Sequence, residues 1–296
     1  MDAAGRFSFG EPLGCLEQED DVGGSIQLIR DRFNHWGWWS SIPGLERLVY
    51  RNPLAMRQRR APSSMAAAAV QKLKTRSGQD KYDGEHVDLL HKFLEASKDH
   101  PEALDTSGVV GMSMSTISGA GDTIATTVTA AIYNLIKNPA ALKSLRAELS
   151  EAQLPEIPSY SEVSKLPYLN AVIRESMRIF PTPTRPMERL VPKGGATIAG
   201  NNTKIFGDDV DVYRPERWLT SNAQELRQME SAHVGFSRGR RVCLGQNIAI
   251  MQMKKVIPAL VVKFELELVN SKASLEADFS PAVACLELLF VKSRLK

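Results

Sequence analysis

The residues with the most chemical content lie in one loop. The segment Phe236-Ser-Arg-Gly239-Arg-Arg241-Val-Cys243-Leu-Gly245 fits the pattern F-x-x-G-x-R-x-C-x-G at all five fixed positions. A chance match in a chain of 296 residues has odds of order 10⁻⁴ at ordinary residue frequencies. A thiolate is a ligand and a nucleophile, and it requires cations and backbone N–H donors around it. Arg238, Arg240 and Arg241 supply the cations. Gly239 and Gly245 allow the backbone to turn tightly and approach the sulfur. A lone cysteine is by default a small buried hydrophobe, and it is the motif that displaces this reading.

Three further groups lie upstream and between. Gly119-Ala120-Gly121-Asp122-Thr123 places a carboxylate beside a hydroxyl in a long apolar stretch, a pairing suited to moving protons. The two glycines weaken the helix there, and a kink or widened turn is expected. Glu175-Ser-Met-Arg178 puts an acid and a base on one helix face. That face lies opposite the stripe of Leu169, Val172, Ile173, Ser176 and Phe180, and alone it reads as an exposed ion pair. Pro215-Glu216-Arg217-Trp218 adds a second arginine.

In this order and with these spacings, the chain resembles the cytochrome P450 superfamily over nearly its whole length. It looks most similar to filamentous-fungal members that oxidise secondary metabolites. The resemblance implies a mainly α fold with a minor β part, here the C-terminal portion of a single catalytic domain spanning 1–296. It implies haem b as cofactor, with iron held by Cys243. Phe236, Gly239, Arg241 and Gly245 would shape the haem-binding loop, Arg241 and Arg189 would reach the propionates, and Asp122 and Thr123 would deliver protons. Glu175, Arg178 and Arg217 would form a structural triad. The implied reaction inserts one oxygen atom from dioxygen into an apolar small molecule. Electrons would come from an NADPH-dependent reductase. Substrate contacts would include Met112, Ser115, Thr182–Pro183 and the segment near Ala282. Such proteins sit on the cytosolic face of the endoplasmic reticulum membrane. The chain begins at what resembles the middle of a member. It lacks the anchor, which makes it read as soluble and cytosolic, and it lacks a segment between Gly200 and Asn201. The alternative is therefore an inactive truncated fragment of the same family.

Composition agrees with a folded enzyme. Hydrophobic residues are 43% and charged residues 24%, which excludes a mainly disordered or polytopic membrane chain. Lys and Arg total 37 against 34 Asp and Glu, too even a balance to imply nucleic acid. The basic knot of Arg57, Arg59 and Arg60 reads as a solvated face. Three cysteines, Cys15, Cys243 and Cys285, make no disulfide framework and suggest a reducing compartment. No signal peptide is legible at the N-terminus.

Helices must position these groups. Thr106 to Ile136 is 31 residues long with Asp122 as its one charge, and its Ser, Thr and Gly content predicts a helix buried in protein rather than lipid. Further helices are predicted over SIQLIRDRFNHWGWW, from Asn52-Pro53, over HVDLLHKFLEASKD with Val87, Leu90 and Leu94 inward, and over PAALKSLRAELSEA, PYLNAVIRESMRIF and IAIMQMKKVIPALVV. SIPG breaks the first of these, and residues 1–24 read as mostly loop. Trp36, Trp38 and Trp39 cluster at that break, in the body of the fold or at a lid or membrane-contacting edge. Leu190–Gly200, FELELV and CLELLFVK have strand character, and YRPERWL is irregular.

Overall fold

A computed structural model describes residues 1–39, 42–54, 64–77, 87–182 and 203–268. These residues form two compact units, 1–123 and 124–268. The described part is almost entirely helical.

The first unit opens with α1 (Asp2–Phe9) and α2 (Cys15–Gln18), where mostly loop was expected. A long-range contact makes the difference. The buried Asp2 carboxylate accepts the backbone N–H groups of Cys15 at 3.0 Å and Leu16 at 2.8 Å. It thereby neutralises donors that the start of a short helix leaves unpaired. Gly10, at φ 78°, ends α1 by donating its N–H to the Arg6 carbonyl. α3 follows (Ser25–Trp39), then α4 (Pro43–Tyr50). SIPG thus ends one helix and starts another, because Pro43 occupies the first turn, where its missing N–H costs nothing. Of the helix expected from Asn52-Pro53, Asn52 to Leu54 lie among the described residues and residues 55–63 lie outside them.

α5 (Ser64–Ser77) and α6 (Leu89–Asp99) complete the first unit, together with the start of α7 (Thr106–Lys137). Asp88 caps α6 by accepting the His91 N–H at 2.8 Å. Val87 is therefore outside the helix and exposed, not on its apolar face as expected. The core joins Phe9, Ile29, Met65, Ala69, Leu73, Leu90, Val109 and Ile117.

The second unit takes the end of α7, then α8 (Pro139–Glu151), α9 (Tyr160–Val163), α10 (Pro167–Ile179), α11 (Thr203–Phe206), α12 (Ala223–Ala232) and α13 (Gln246–Lys263). α10 is central, and apolar residues from α7, α8 and α13 surround Leu169, Val172 and Ile173. Its N-terminal N–H groups find a tertiary acceptor. Glu148 on α8 takes those of Tyr168 at 2.6 Å and Leu169 at 2.8 Å. The segment read as irregular is a 3₁₀ turn over Pro215–Leu219. Phe264 is an isolated bridge residue, and no strand occurs among the described residues. Leu190–Gly200 and most of the C-terminal segment lie outside them. No helix among the described residues is long and apolar enough to cross a membrane.

Candidate functional site

Cys243 sits in a loop closed by its own backbone. Its N–H donates to the Phe236 carbonyl at 2.9 Å, so the chain returns to its starting point across the six intervening residues. Ser237 and Gly239 both have positive φ, 60° and 65°, and a 3₁₀ turn over Gly239–Arg241 completes the bend. A β-carbon on Gly239 would meet no atom within 4 Å, so the glycine serves its backbone conformation and not close packing. Gly245 differs, since its β-carbon would lie beside the Cys243 sulfur at an ordinary contact distance of 3.9 Å. The loop is anchored from below. A β-carbon on Gly235 would come within 2.5 Å of the Met177 terminal methyl and 2.9 Å of the His233 ring, so the glycine lets the start of the loop pack closely on α10.

The thiol itself is exposed. It precedes α13 by three residues, with Gly245 as N-cap. A helix N-terminus favours negative charge at such a position. Val242 and Leu244 on either side are exposed apolar residues, Leu244 completely (101%). Arg240 and Arg241 are exposed as well. No cluster of three or more His, Cys, Asp or Glu among the described residues could hold a bare metal ion. The donor set is one soft sulfur with apolar flanks and nearby guanidinium groups. That set fits a flat, largely apolar, anionic metal complex such as haem, bound through one axial thiolate.

The structure brings Glu175, Arg178 and Arg217 together. Glu175 is fully buried (0% exposed), unlike the exposed pair that the helix taken alone would give. α10 is packed on both faces, and the polar face is covered by the chain around Pro215. Arg178 donates to both Glu175 oxygens at 2.8 and 2.9 Å. Arg217 donates to Oε1 at 2.9 Å. Residues not singled out in the sequence complete the network. Trp218 Nε1 donates to Oε2 at 2.9 Å, and the Arg214 backbone N–H to Oε1 at 2.8 Å. Asp209 takes Arg214 at 2.6 Å and Arg217 at 3.2 Å. Burial acts to raise the Glu175 pKa, but the donors from Arg178, Arg214 and Trp218 outweigh it and the carboxyl is held low. The hydrogen bond from Arg214 brings Asp209 down to about 2. The adjacency of Arg214 and Trp218 to Arg217 was the available signal, but one sequence does not show which neighbours turn inward.

Asp122 and Thr123 belong to the first unit. Asp122 Oδ2 is buried without a hydrogen-bond partner among the described residues. Burial pushes its pKa up to about 6, against the opposing charge of Arg30. Thr123 donates its hydroxyl to the Gly119 carbonyl at 2.6 Å. The expected widened turn does not occur, and α7 is α-helical throughout. Glycine permits a break, but an inserted side chain or water makes one. Arg189, Pro183 and the segment near Ala282 lie outside the described residues. Met112 is exposed, and Ser115 lines a cavity in the first unit.

The sequence profile of the Cytochrome P450 family matches residues 1–290, and the chain belongs to that family. It is 32% identical to Cytochrome P450 monooxygenase pkfB of Emericella nidulans, over 94% of this chain and 59% of that protein. It is 32% identical to Cytochrome P450 monooxygenase cfoH of Aspergillus candidus, over 91% of this chain and 55% of that protein. It is 31% identical to Cytochrome P450 monooxygenase mpaDE' of Penicillium brevicompactum, over 91% of this chain and 35% of that protein. The chain thus spans between a third and three fifths of the length of these relatives.

Proposed function

We propose that the chain carries the haem-thiolate part of a fungal monooxygenase that oxidises an apolar small molecule in secondary metabolism. The observation that carries this reading is the closed loop from Phe236 to Gly245, which presents an exposed thiol before the N-terminus of α13. Bound haem would supply dioxygen activation, and the Cys243 thiolate would hold its iron. The protein's own groups have separable tasks. Gly239 holds the backbone at positive φ in the turn, and Gly245 leaves the space beside the sulfur free of a side chain. Phe236, half-buried against the core of the second unit, fixes one end of the loop. Arg241, and Arg189 in the sequence, would pair with propionates. Asp122, with its pKa near 6, can hold a proton or release it close to neutral pH. Thr123 places a hydroxyl beside it. Glu175, Arg178 and Arg217 pin the Pro215 segment to α10 and so support the chain leading to the loop. An NADPH-dependent reductase would supply electrons.

The test is haem reconstitution of the full chain followed by the carbon-monoxide difference spectrum of the reduced protein. A thiolate-type band in the wild type that is lost in Cys243→Ala supports the reading. Absence of the band in wild type, or its survival in Cys243→Ala, overturns it.

A further inference from the structure

The first unit contains a cavity of about 350 Å³ between α3 and α7. Ile29, Arg32, Phe33 and Trp36 line it from α3, and Gly111, Met114, Ser115 and Ser118 from α7. Both sets follow the i, i+3, i+4, i+7 spacing of a single helix face. Small residues on such a face normally let a facing helix approach closely. Here they do not serve that purpose, because a β-carbon on Gly111 would meet nothing within 4 Å. The space beside Gly111 is therefore not used by the protein itself. The same row continues to Asp122, which lies 4, 7 and 11 residues after Ser118, Ser115 and Gly111.

The walls define a ligand. Phe33 and Trp36 offer aromatic faces, with Ile29 and Met114 completing an apolar slot that favours a flat ring system. The volume lies at the low end of small-molecule pockets, which suits one or two fused rings. Arg32 makes no hydrogen bond or ion pair among the described residues, and a planar guanidinium on an apolar slot matches a carboxylate. Ser115 and Ser118 can meet a hydroxyl or carbonyl on the ring.

We infer that this cavity binds a small aromatic carboxylic acid, with its ring between Phe33, Trp36 and Met114 and its carboxylate on Arg32. The inference deepens the monooxygenase reading, on which it rests only for calling that ligand a substrate. Calorimetric titration of the haem-free full chain with 2-naphthoate and with neutral 2-naphthalenemethanol tests it. The acid is expected to bind about tenfold tighter than the alcohol, as one charge-assisted contact confers. Arg32→Gln, an exposed substitution, should remove that difference and leave the alcohol unchanged. Gly111→Leu should fill the slot and weaken both by more than about tenfold. Equal affinity for the two probes, no binding of 2-naphthoate, or an unaltered preference in Arg32→Gln overturns the inference. The readout needs no haem, so the two readings fail separately. A chain that binds the acid but shows no carbon-monoxide band keeps the cavity and loses the monooxygenase. The reverse result loses only the cavity.

Discussion

Replacing Glu175 by Gln keeps the shape of the side chain and removes its charge. Five donors converge on the carboxylate in the wild type. Oε1 receives Arg178 Nη2, Arg217 Nε and the Arg214 N–H, and Oε2 receives Arg178 Nε and Trp218 Nε1. An amide must put its NH₂ where one of these oxygens stood, so two or three donors then face a donor. Both guanidinium groups also lose their buried counter-charge. Some compensation remains, since Arg178 still reaches the carbonyls of Val210 and Val212, and Arg217 still reaches Asp209. Breaking a buried pair costs about 3–5 kcal/mol, and the retained bonds place this variant near 3. For a chain of this size that lowers the melting temperature by roughly 5 °C. Urea and thermal unfolding measure it, with Glu230→Gln as the control. The Arg174–Glu230 pair is as short, at 2.7 Å, but both side chains are more than 40% exposed, and its loss should cost under about 1 kcal/mol. Because folding lowers the Glu175 pKa, its contribution is full above the ordinary value of 4.5 and fades as pH falls through the folded value. The gap between wild type and Glu175→Gln should therefore narrow in acid. Equal losses for the buried and exposed pairs would refute the reasoning.

Asp122→Asn should stabilise the chain at neutral pH. The folded pKa near 6 exceeds the ordinary 3.8, so the fold favours the neutral acid and loses that stability as pH rises through 6. The gain should be near zero at pH 4 and reach about 1–3 kcal/mol above pH 6.5, read by urea melts across pH. A pH-independent difference would contradict it. Glu148→Ala should cost about 1–2 kcal/mol, because it unpairs the N–H groups of Tyr168 and Leu169 at the start of α10. The same melts would show it, and hydrogen exchange at those two amides should quicken.

Much of this was legible in one sequence. The helices over Pro139–Glu151, Pro167–Ile179 and Gln246–Lys263 carry local signals, a proline in the first turn or an apolar stripe at helical period. The Cys243 loop was legible because its chemistry dictates residue types at fixed short spacing. What escaped depends on residues far apart. α1 owes its start to Asp2 reaching Cys15 and Leu16, and no capping pattern announces that. The burial of Glu175 is imposed by a segment some forty residues later, so α10 alone reads as having a wet face. Asp209 joins the network from a stretch with no periodicity at all. In α7 the glycines suggested a widened turn, but glycine only permits one, and the helix runs through them.

Cys243 is exposed and Cys15 only half so, and alkylating reagents will discriminate between them. Anything that covers the Cys243 sulfur slows its alkylation, so labelling kinetics report occupancy of the loop without a spectrum. The same openness makes the atom perishable. Oxidation through the sulfenic to the sulfinic acid removes the thiolate irreversibly while every helix stays in place. A preparation kept without its ligand would then lose binding capacity at an unchanged melting temperature, and the loss would be mistaken for inherent inactivity unless thiols were counted.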